Sequence, residues 1–254
     1  MSSLSDAPRP RRLAPADLPA ILALQQAVLA DLPAGFVRVR SAAEWAGFLD
    51  GTRGVVYGIA GAGALSAAAL MMLPSAEAPG EPLEDEIAKR GVVFSRGLRA
   101  RISERDWSRA TGFLGNAMVR PEARRRGHQR ALIAARLAHA AAAGMRWIFS
   151  GVHLHNGTSW RNLLAQGLAI AALRADPRHP LLGLIRGIDP LAVATDAGDR
   201  RRFAAHETSQ HEAALVEGYL GVGTTPAGSV VYERLLPARV AEVPSARKYL
   251  SETG

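Results

Sequence analysis

Apolar residues recur at helical spacing early in the chain, at Leu18, Ile21, Leu22, Val28, Leu29 and Leu32. With Asp17 as an N-cap and Pro19 in the first turn, they predict a helix within residues 13–32. Two apolar runs follow, Val55–Ile59 and Ala67–Leu73, separated by Gly61-Ala62-Gly63, which is the pattern of a hairpin. Periodicity then breaks. Pro74, Pro79, Gly80 and Pro82 precede a charged run from Glu81 to Arg90, so residues 75–110 read as an insertion with room for a short helix. The pattern resumes as a strand at Gly112–Val119 and a helix at Gly127–Ala143, with Ile133, Leu137, Ala140 and Ala141 on one stripe and Gly144 at its end. A strand over Met145–His155, a short helix over Thr158–Gln166 and two strands at Leu168–Leu173 and Leu181–Ile188 complete this part. Beyond Asp189-Pro190, residues 191–202 read as a linker, Phe203–Glu217 as a helix, Gly228–Leu236 as a strand and the tail past Pro237 as peripheral. This order predicts an α/β (α+β) fold around a mixed sheet, with an α–β appendage.

The length of 254 residues suits one enlarged domain, and 48% hydrophobic with 21% charged residues excludes wholesale disorder. No cysteine is present, which removes disulfides, thiol nucleophiles and Cys-type zinc sites. The first twelve residues have no apolar stretch of the signal-peptide kind, and the weakly polar run Ala60–Leu73 is too short to span a bilayer. A soluble cytoplasmic protein with no membrane partner is expected. The net charge of +8 comes almost wholly from arginine, since only Lys89 and Lys248 are lysines. Such a surface attracts phosphates, acidic cofactors or acidic carrier proteins. A nucleic-acid-binding role is disfavoured, because the arginines are scattered, aromatics are 6% and no nucleic-acid motif occurs.

The most informative stretch is Asn116 to Leu132, N-A-M-V-R-P-E-A-R-R-R-G-H-Q-R-A-L. A strand ends, a basic turn follows, and a helix begins near Gly127. Free N–H groups at that helix start, its dipole and the charges of Arg124, Arg125, Arg126 and Arg130 together suit phosphate oxygens. The alternative is a solvated basic turn. A second segment follows the next strand, H-N-G-T-S-W-R-N-L-L-A-Q-G-L, from His155 to Leu168.

Together the two segments resemble the GCN5-related N-acetyltransferase (GNAT) superfamily. Val119, Pro121, Arg124 and Gly127 match its first signature, and Asn156, Ser159 and Gly167-Leu168 its second. The resemblance covers roughly residues 10–190 and implies a GNAT-like, mostly antiparallel sheet with splayed strands. It divides the chain into a flexible N-terminus (1–10), an acyltransferase domain (11–190) and a C-terminal appendage (191–254) packed on it. It implies acetyl-CoA, or a longer acyl-CoA, as acyl donor and an amine as acceptor, either a small molecule or a peptide. The pyrophosphate cradle maps onto Arg125, Arg126, Gly127, His128, Gln129 and Arg130 with Arg124 beside it. The pantetheine contacts map onto Ala117, Met118, Val119 and Asn156, with Ser159 near the same arm. Many members are homodimers and bacterial, and both are expected here.

Three positions depart from the family pattern. Gln129 stands where Gly or Ala is usual, Leu163 where many members carry a tyrosine acid, and Gly151 where some carry a glutamate base. His153 and His155, two apart on a strand, are the candidate proton acceptors, and Ser159 the candidate donor to the departing thiolate. Each has a structural alternative: a strand histidine, or a helix cap at Ser159. No metal site is expected from His153-x-His155 alone. Trp107, Trp147 and Trp160 are expected in the core or in pocket walls, His206 and His211 on a surface helix. Tyr219 and Tyr232 are candidates to fold back as the missing acid. The insertion and the appendage are expected to shape the acceptor pocket or cover the splay. Two readings follow: an acyl-CoA-dependent N-acyltransferase, or a degenerate relative that binds acyl-CoA without turnover.

Overall fold

The computed structural model describes residues 9–237 apart from 34, 62, 75–79 and 177. The tail past Pro237 and nearly all of the expected flexible N-terminus lie outside the described residues. Strand β1 (Arg11–Arg12) leads to helix α1 (Leu18–Leu29), which buries Ile21, Leu24 and Val28 as its apolar spacing requires. Helix α2 (Ala42–Leu49) starts on a capping box: Ser41 Oγ accepts from the Glu44 N–H, and Glu44 Oε2 accepts from the Ser41 N–H at 2.9 Å. The hairpin follows as β2 (Gly54–Ala60) and β3 (Leu65–Met72), closed by Gly61 N–H donating to Ala64 O at 2.7 Å.

The insertion is ordered through α3 (Leu83–Arg90), β4 (Val93–Phe94), α4 (Arg96–Arg99) and α5 (Glu104–Ala110). Then come β5 (Thr111–Val119), α6 (His128–Ala142), β6 (Trp147–His153), α7 (Gly157–Leu164), β7 (Ala169–Arg174) and β8 (Leu181–Gly187). The chain continues into β9 (Thr195–Phe203), α8 (Thr208–Val216), β10 (Tyr219–Thr224) and β11 (Val230–Leu235). Among the described residues the strands form one sheet in the order β1-β2-β3-β5-β6-β8-β7-β10-β11-β9. All its pairings are antiparallel except β5 with β6. The sheet is therefore mixed, as the element order predicts, and mostly antiparallel, as the family resemblance implies.

Three expectations for the C-terminal region need correction. Residues 191–202 are mostly strand: β9 alternates half-buried and exposed positions along an edge, and its many polar side chains, tolerable there, disguise it as a linker. Helix α8 starts at Thr208, because Phe203 still pairs with Val230. Strand β10, unforeseen, docks the appendage onto β7 through Gly221 opposite Ile170.

The described part of the insertion packs on the sheet. Leu83, Phe94, Leu98, Ile102 and Trp107 pack against Trp147, Phe149, Ala169 and Ile185, covering a face of the sheet over β6, β7 and β8. Trp107 meets Phe94, Phe113 and Phe149 edge-on, with ring centroids 6.4, 5.4 and 5.4 Å away. Strand β4 pairs with β7 at Leu173 and Ala172, beside the point where β10 joins it. Trp107, Trp147 and Trp160 are all buried in the core. Among the described residues no helix is long and apolar enough to cross a membrane.

Candidate active site

The site begins where two parallel strands part. β5 and β6 pair only at Thr111–Phe113 with Trp147–Phe149, and beyond that they diverge. At the parting, Ser150 Oγ donates to Leu114 O at 3.2 Å. β5 also slips register against β3 between Ala69 and Met71, so that Gly115 and Asn116 form a bulge opposite Leu70. The buried guanidinium of Arg136 fills in at this irregularity. Its Nη1 donates to Leu70 O at 2.8 Å and to Gly115 O at 3.3 Å, and its Nε to Leu132 O at 3.1 Å.

An outer cleft of 630 Å³ runs along the far end of β5 to the start of α6. Arg125 has φ +63°, rare for a residue with a side chain, and Gly127 has φ +78° with open space where a Cβ would stand. The first intrahelical bond of α6 is Ala131 N–H to Gly127 O. The N–H groups of residues 125–130 have no acceptor among the described residues. Two buried side-chain nitrogens in the cleft wall are also unsatisfied, Arg124 Nη2 and His128 Nδ1, although Arg124 Nη1 meets Asp31 at 2.5 Å. Unpaired buried donors and a helix N-terminus are what an anion with many oxygens would satisfy. A CoA pyrophosphate fits this set, and Gln129 does not obstruct it. Its amide turns to α7, where Nε2 donates to Ser159 Oγ at 2.9 Å and Oε1 accepts from Asn162 Nδ2 at 2.8 Å.

An inner cavity of 360 Å³ occupies the splay itself. It shares Phe36, Val37, Ala117, Gln129, Asn156 and Ser159 with the outer cleft, so the two meet at a common waist. Asn156 caps α7, with Oδ1 accepting from the Ser159 N–H at 3.2 Å; its Nδ2 has no acceptor among the described residues. The same holds for the Ser159 hydroxyl proton, since Ser159 Oγ is recorded only as an acceptor. His153 faces the inner cavity, with the Phe36 ring centroid 5.1 Å from its own. Burial, then the charges of His155, His179 and Arg174, hold its pKa below the ordinary histidine value, so the ring is neutral at pH 7. Its Nδ1 accepts a long bond of 3.3 Å from the His155 N–H.

The two histidines are thus neighbours, 5.3 Å between ring centroids, but they do not share a strand face. β6 ends at His153, and the turn after it sends exposed His155 into the outer cleft. Ala117, Val119, Arg124, Arg125, Gly127, His128, Gln129, Arg130, Asn156 and Ser159 line that cleft, whereas Met118 points into the core against α1 and α2 and Arg126 is outside the lining. Tyr219 and Tyr232 do not fold back: Tyr219 Oη donates to Asp199 at 2.7 Å, and Tyr232 Oη lies 3.0 Å from His211 Nδ1. His211 is buried, correcting its expected surface position, because its other nitrogen reaches Ala204 O at 2.9 Å and closes a polar cluster inside the appendage. None of the described residues of the insertion or the appendage lines either of the two cavities.

Arg38, Arg40, Arg136, Arg174 and His179 line the inner cavity and were not anticipated as site residues. Two of them had a readable signal. Ser41-Ala-Ala-Glu44 is a capping-box pattern that marks a helix start and so leaves 33–40 as a loop over the sheet. Arg136 interrupts the apolar stripe of Ile133, Leu137 and Ala140, an unusual place for a charge.

No family profile and no curated protein sequence matches the chain. Solved structures do. A protein of Salmonella typhimurium assigned as an acetyltransferase, in a structure with its cofactor acetyl-CoA, is 15% identical with a TM-score of 0.51, over 72% of this chain and 95% of that one. A GCN5-related N-acetyltransferase from Kribbella flavida is 17% identical with a TM-score of 0.51, over 71% and 98%. An acetyltransferase of the GNAT family from Streptococcus pneumoniae is 12% identical with a TM-score of 0.50, over 70% and 98%. Each neighbour is matched almost end to end while close to 30% of this chain is left over, a surplus that accords with the added insertion and appendage. On the sheet order, the splay and these likenesses, the chain has the fold of the GCN5-related N-acetyltransferases.

Proposed function

We propose that this protein is an acyl-CoA-dependent N-acyltransferase, with acetyl-CoA as the first donor to test. The observation that carries this reading is the waist between the two cavities. A cleft built for an anionic, many-oxygened ligand leads directly into a separate chamber between splayed strands. Residues 125–130 would hold the pyrophosphate through backbone N–H groups, with Arg124 and His128 supplying two further donors. The edge of β5 at Ala117 and Val119 and the free Nδ2 of Asn156 would hold the pantetheine arm. The bound thioester supplies the activated carbonyl.

Overall, an N–C bond forms and a C–S bond breaks, while the amine loses a proton and the sulfur gains one. The four arginines around the inner cavity disfavour a further positive charge, so the acceptor is held as the neutral amine its nucleophilic role needs. His153, neutral and within the cavity, takes the amine proton on Nδ1, whose long bond to the His155 N–H is readily displaced. Ser159, whose oxygen is already engaged by Gln129, passes its proton to the departing sulfur and takes one back from water in the open cleft, while His153 releases the amine proton to solvent.

A second reading also has an observation behind it. Leu163 is buried at the position of the family tyrosine, and no described tyrosine lines either of the two cavities. That favours a protein that binds acyl-CoA without transferring it. Calorimetric titration with acetyl-, butyryl-, octanoyl- and palmitoyl-CoA, followed by an amine screen for free thiol release, separates the two. Binding with turnover supports the transferase, binding without turnover the degenerate relative, and no binding refutes both.

A further inference from the structure

The inner cavity carries a charge that acyl transfer alone does not require. Arg38, Arg40, Arg136 and Arg174 line it with His153 and His179, and no Asp or Glu is among its lining residues. Glu44 stands behind the loop and meets Arg38 at 3.3 Å and Arg40 at 3.4 Å, longer than a good charge-assisted bond of about 2.7–2.9 Å. Arg136 is 1% exposed and Arg40 is 6% exposed. Every bond that Arg136 makes is to a backbone carbonyl, which orients the guanidinium without neutralising it. Arg40 is fixed by Asn116 Oδ1 at 3.1 Å and stacks over Phe48 at 5.0 Å. In both residues Nη2 has no acceptor among the described residues. Cations this deep are ordinarily matched by an anion, and here the missing partner faces an open chamber.

We propose that the acceptor is a small primary amine bearing a carboxylate, as an amino acid does, with Arg136 and Arg40 binding the carboxylate and Arg174 at its mouth. This inference rests on the acyl-transfer reading. The cavity volume of 360 Å³ lies at the lower end of the roughly 300–1,000 Å³ usual for small-molecule sites, which suits a single amino acid better than a folded protein surface. One field then does two jobs: it attracts the carboxylate and lowers the proton affinity of the amine beside it. An amine without an anion meets only the repulsion.

The test uses matched sets: the common amino acids, their amides, and the corresponding decarboxylated amines. Each is titrated calorimetrically into the CoA-saturated protein and assayed for thiol release with acetyl-CoA. The expected result is that one or more amino acids bind and react at least tenfold better than their amides, with the plain amines weakest. Arg136→Met should lower kcat/KM for the preferred amino acid about 10- to 100-fold, mainly through KM, and so shrink its advantage over the amide. Because Arg136 also braces the bulge, Arg174→Gln at a partly exposed position is the second variant, expected to reduce the same preference with the fold intact. Amides or plain amines used as well as amino acids would overturn the inference while leaving acyl transfer standing. Failure of acetyl-CoA to bind would overturn the acyl-transfer reading; the calorimetric preference for carboxylates then still decides whether the cavity is an anion site. No binding by any member of the sets overturns the proposal.

Discussion

Gln129 offers the sharpest test of how the cleft is built, because the family pattern puts a residue without a reaching side chain there. The structure gives its amide two partners on α7, Ser159 Oγ at 2.9 Å and Asn162 Nδ2 at 2.8 Å, while Asn162 Oδ1 also accepts from Arg130 Nε at 2.9 Å. The side chain is therefore a strut between two helix starts and not a phosphate ligand. In Gln129→Ala two partly buried hydrogen bonds are lost. At about 0.5–1.5 kcal/mol each, and with the freed partners able to rehydrate at the cleft, the cost is about 1–2 kcal/mol. For a chain of this length that is a fall in Tm of roughly 2–8 °C. The backbone N–H groups remain in place, so the Kd for acetyl-CoA should change less than about threefold. Ser159 loses the donor that fixes its oxygen, so kcat should fall while binding holds. Calorimetry for acetyl-CoA and a thermal melt on the same preparation settle the matter. A tenfold loss of affinity with an unmoved Tm would refute the argument, since it would mean that the amide serves the phosphates directly.

If His153 accepts the amine proton, kcat/KM expressed per unprotonated acceptor amine should decline only as pH drops below the ordinary histidine value of about 6.5, because burial and the neighbouring charges lower its pKa. His153→Gln should abolish that acid limb, and a limb that persists assigns the proton to another group. Trp107→Ala should cost about 3–5 kcal/mol, as a large aromatic is removed from the face that the insertion covers. The acceptor KM should be unchanged in whatever fraction remains folded, and a raised KM would restore the insertion to the acceptor site. His211 is held neutral by burial, its folded pKa below the unfolded one. The stability it contributes is thus present above about pH 6.5 and lost as pH falls through the lower folded value. Melts between pH 5 and 8 should show that slope, reduced in His211→Gln.

The parts of the fold that the sequence made legible are those where one chemical signal has one structural meaning. The Arg/Gly turn before α6 is such a case: a positive φ at Gly127 and unpaired N–H groups follow from where the strand ends and the helix begins. The same holds for β2, β3 and β7, whose apolar runs are buried on both faces. β9 was hidden because an edge strand has no buried face to reveal its period, and β10 because its glycines, Gly221 and Gly223, read as a turn. The inner cavity was hidden for another reason. Its arginines come from three separate places, the loop before α2, helix α6 and strand β7, and Arg40 and Arg136 converge on adjacent residues of the β5 bulge, Asn116 and Gly115. Charge that a sequence spreads out can converge in space, and composition alone does not say where.

The proposed role of Ser159 can be tested against the leucine at 163, because α7 places the two side chains together. Ser159 and Leu163 are four residues apart on one helix, so their side chains lie on one face, and both line the inner cavity. Ser159 is one turn nearer the waist, with its oxygen engaged by Gln129 and its proton free. A thiol leaving group with a pKa near 8.5, as in cysteine, needs less help than an alkoxide, so the contribution of a general acid should lie at or below the low end of its usual range, about 10- to 100-fold. Ser159→Ala should therefore reduce kcat by that factor with the acetyl-CoA Kd unchanged. Restoring a phenol one turn away, in the double variant Ser159→Ala with Leu163→Tyr, should recover part of it, since the side chain at 163 already borders the cavity. Single Leu163→Tyr should add little, as the proton is already supplied. A kcat untouched by Ser159→Ala would show that the thiolate leaves unassisted, and the double variant would then have nothing to rescue.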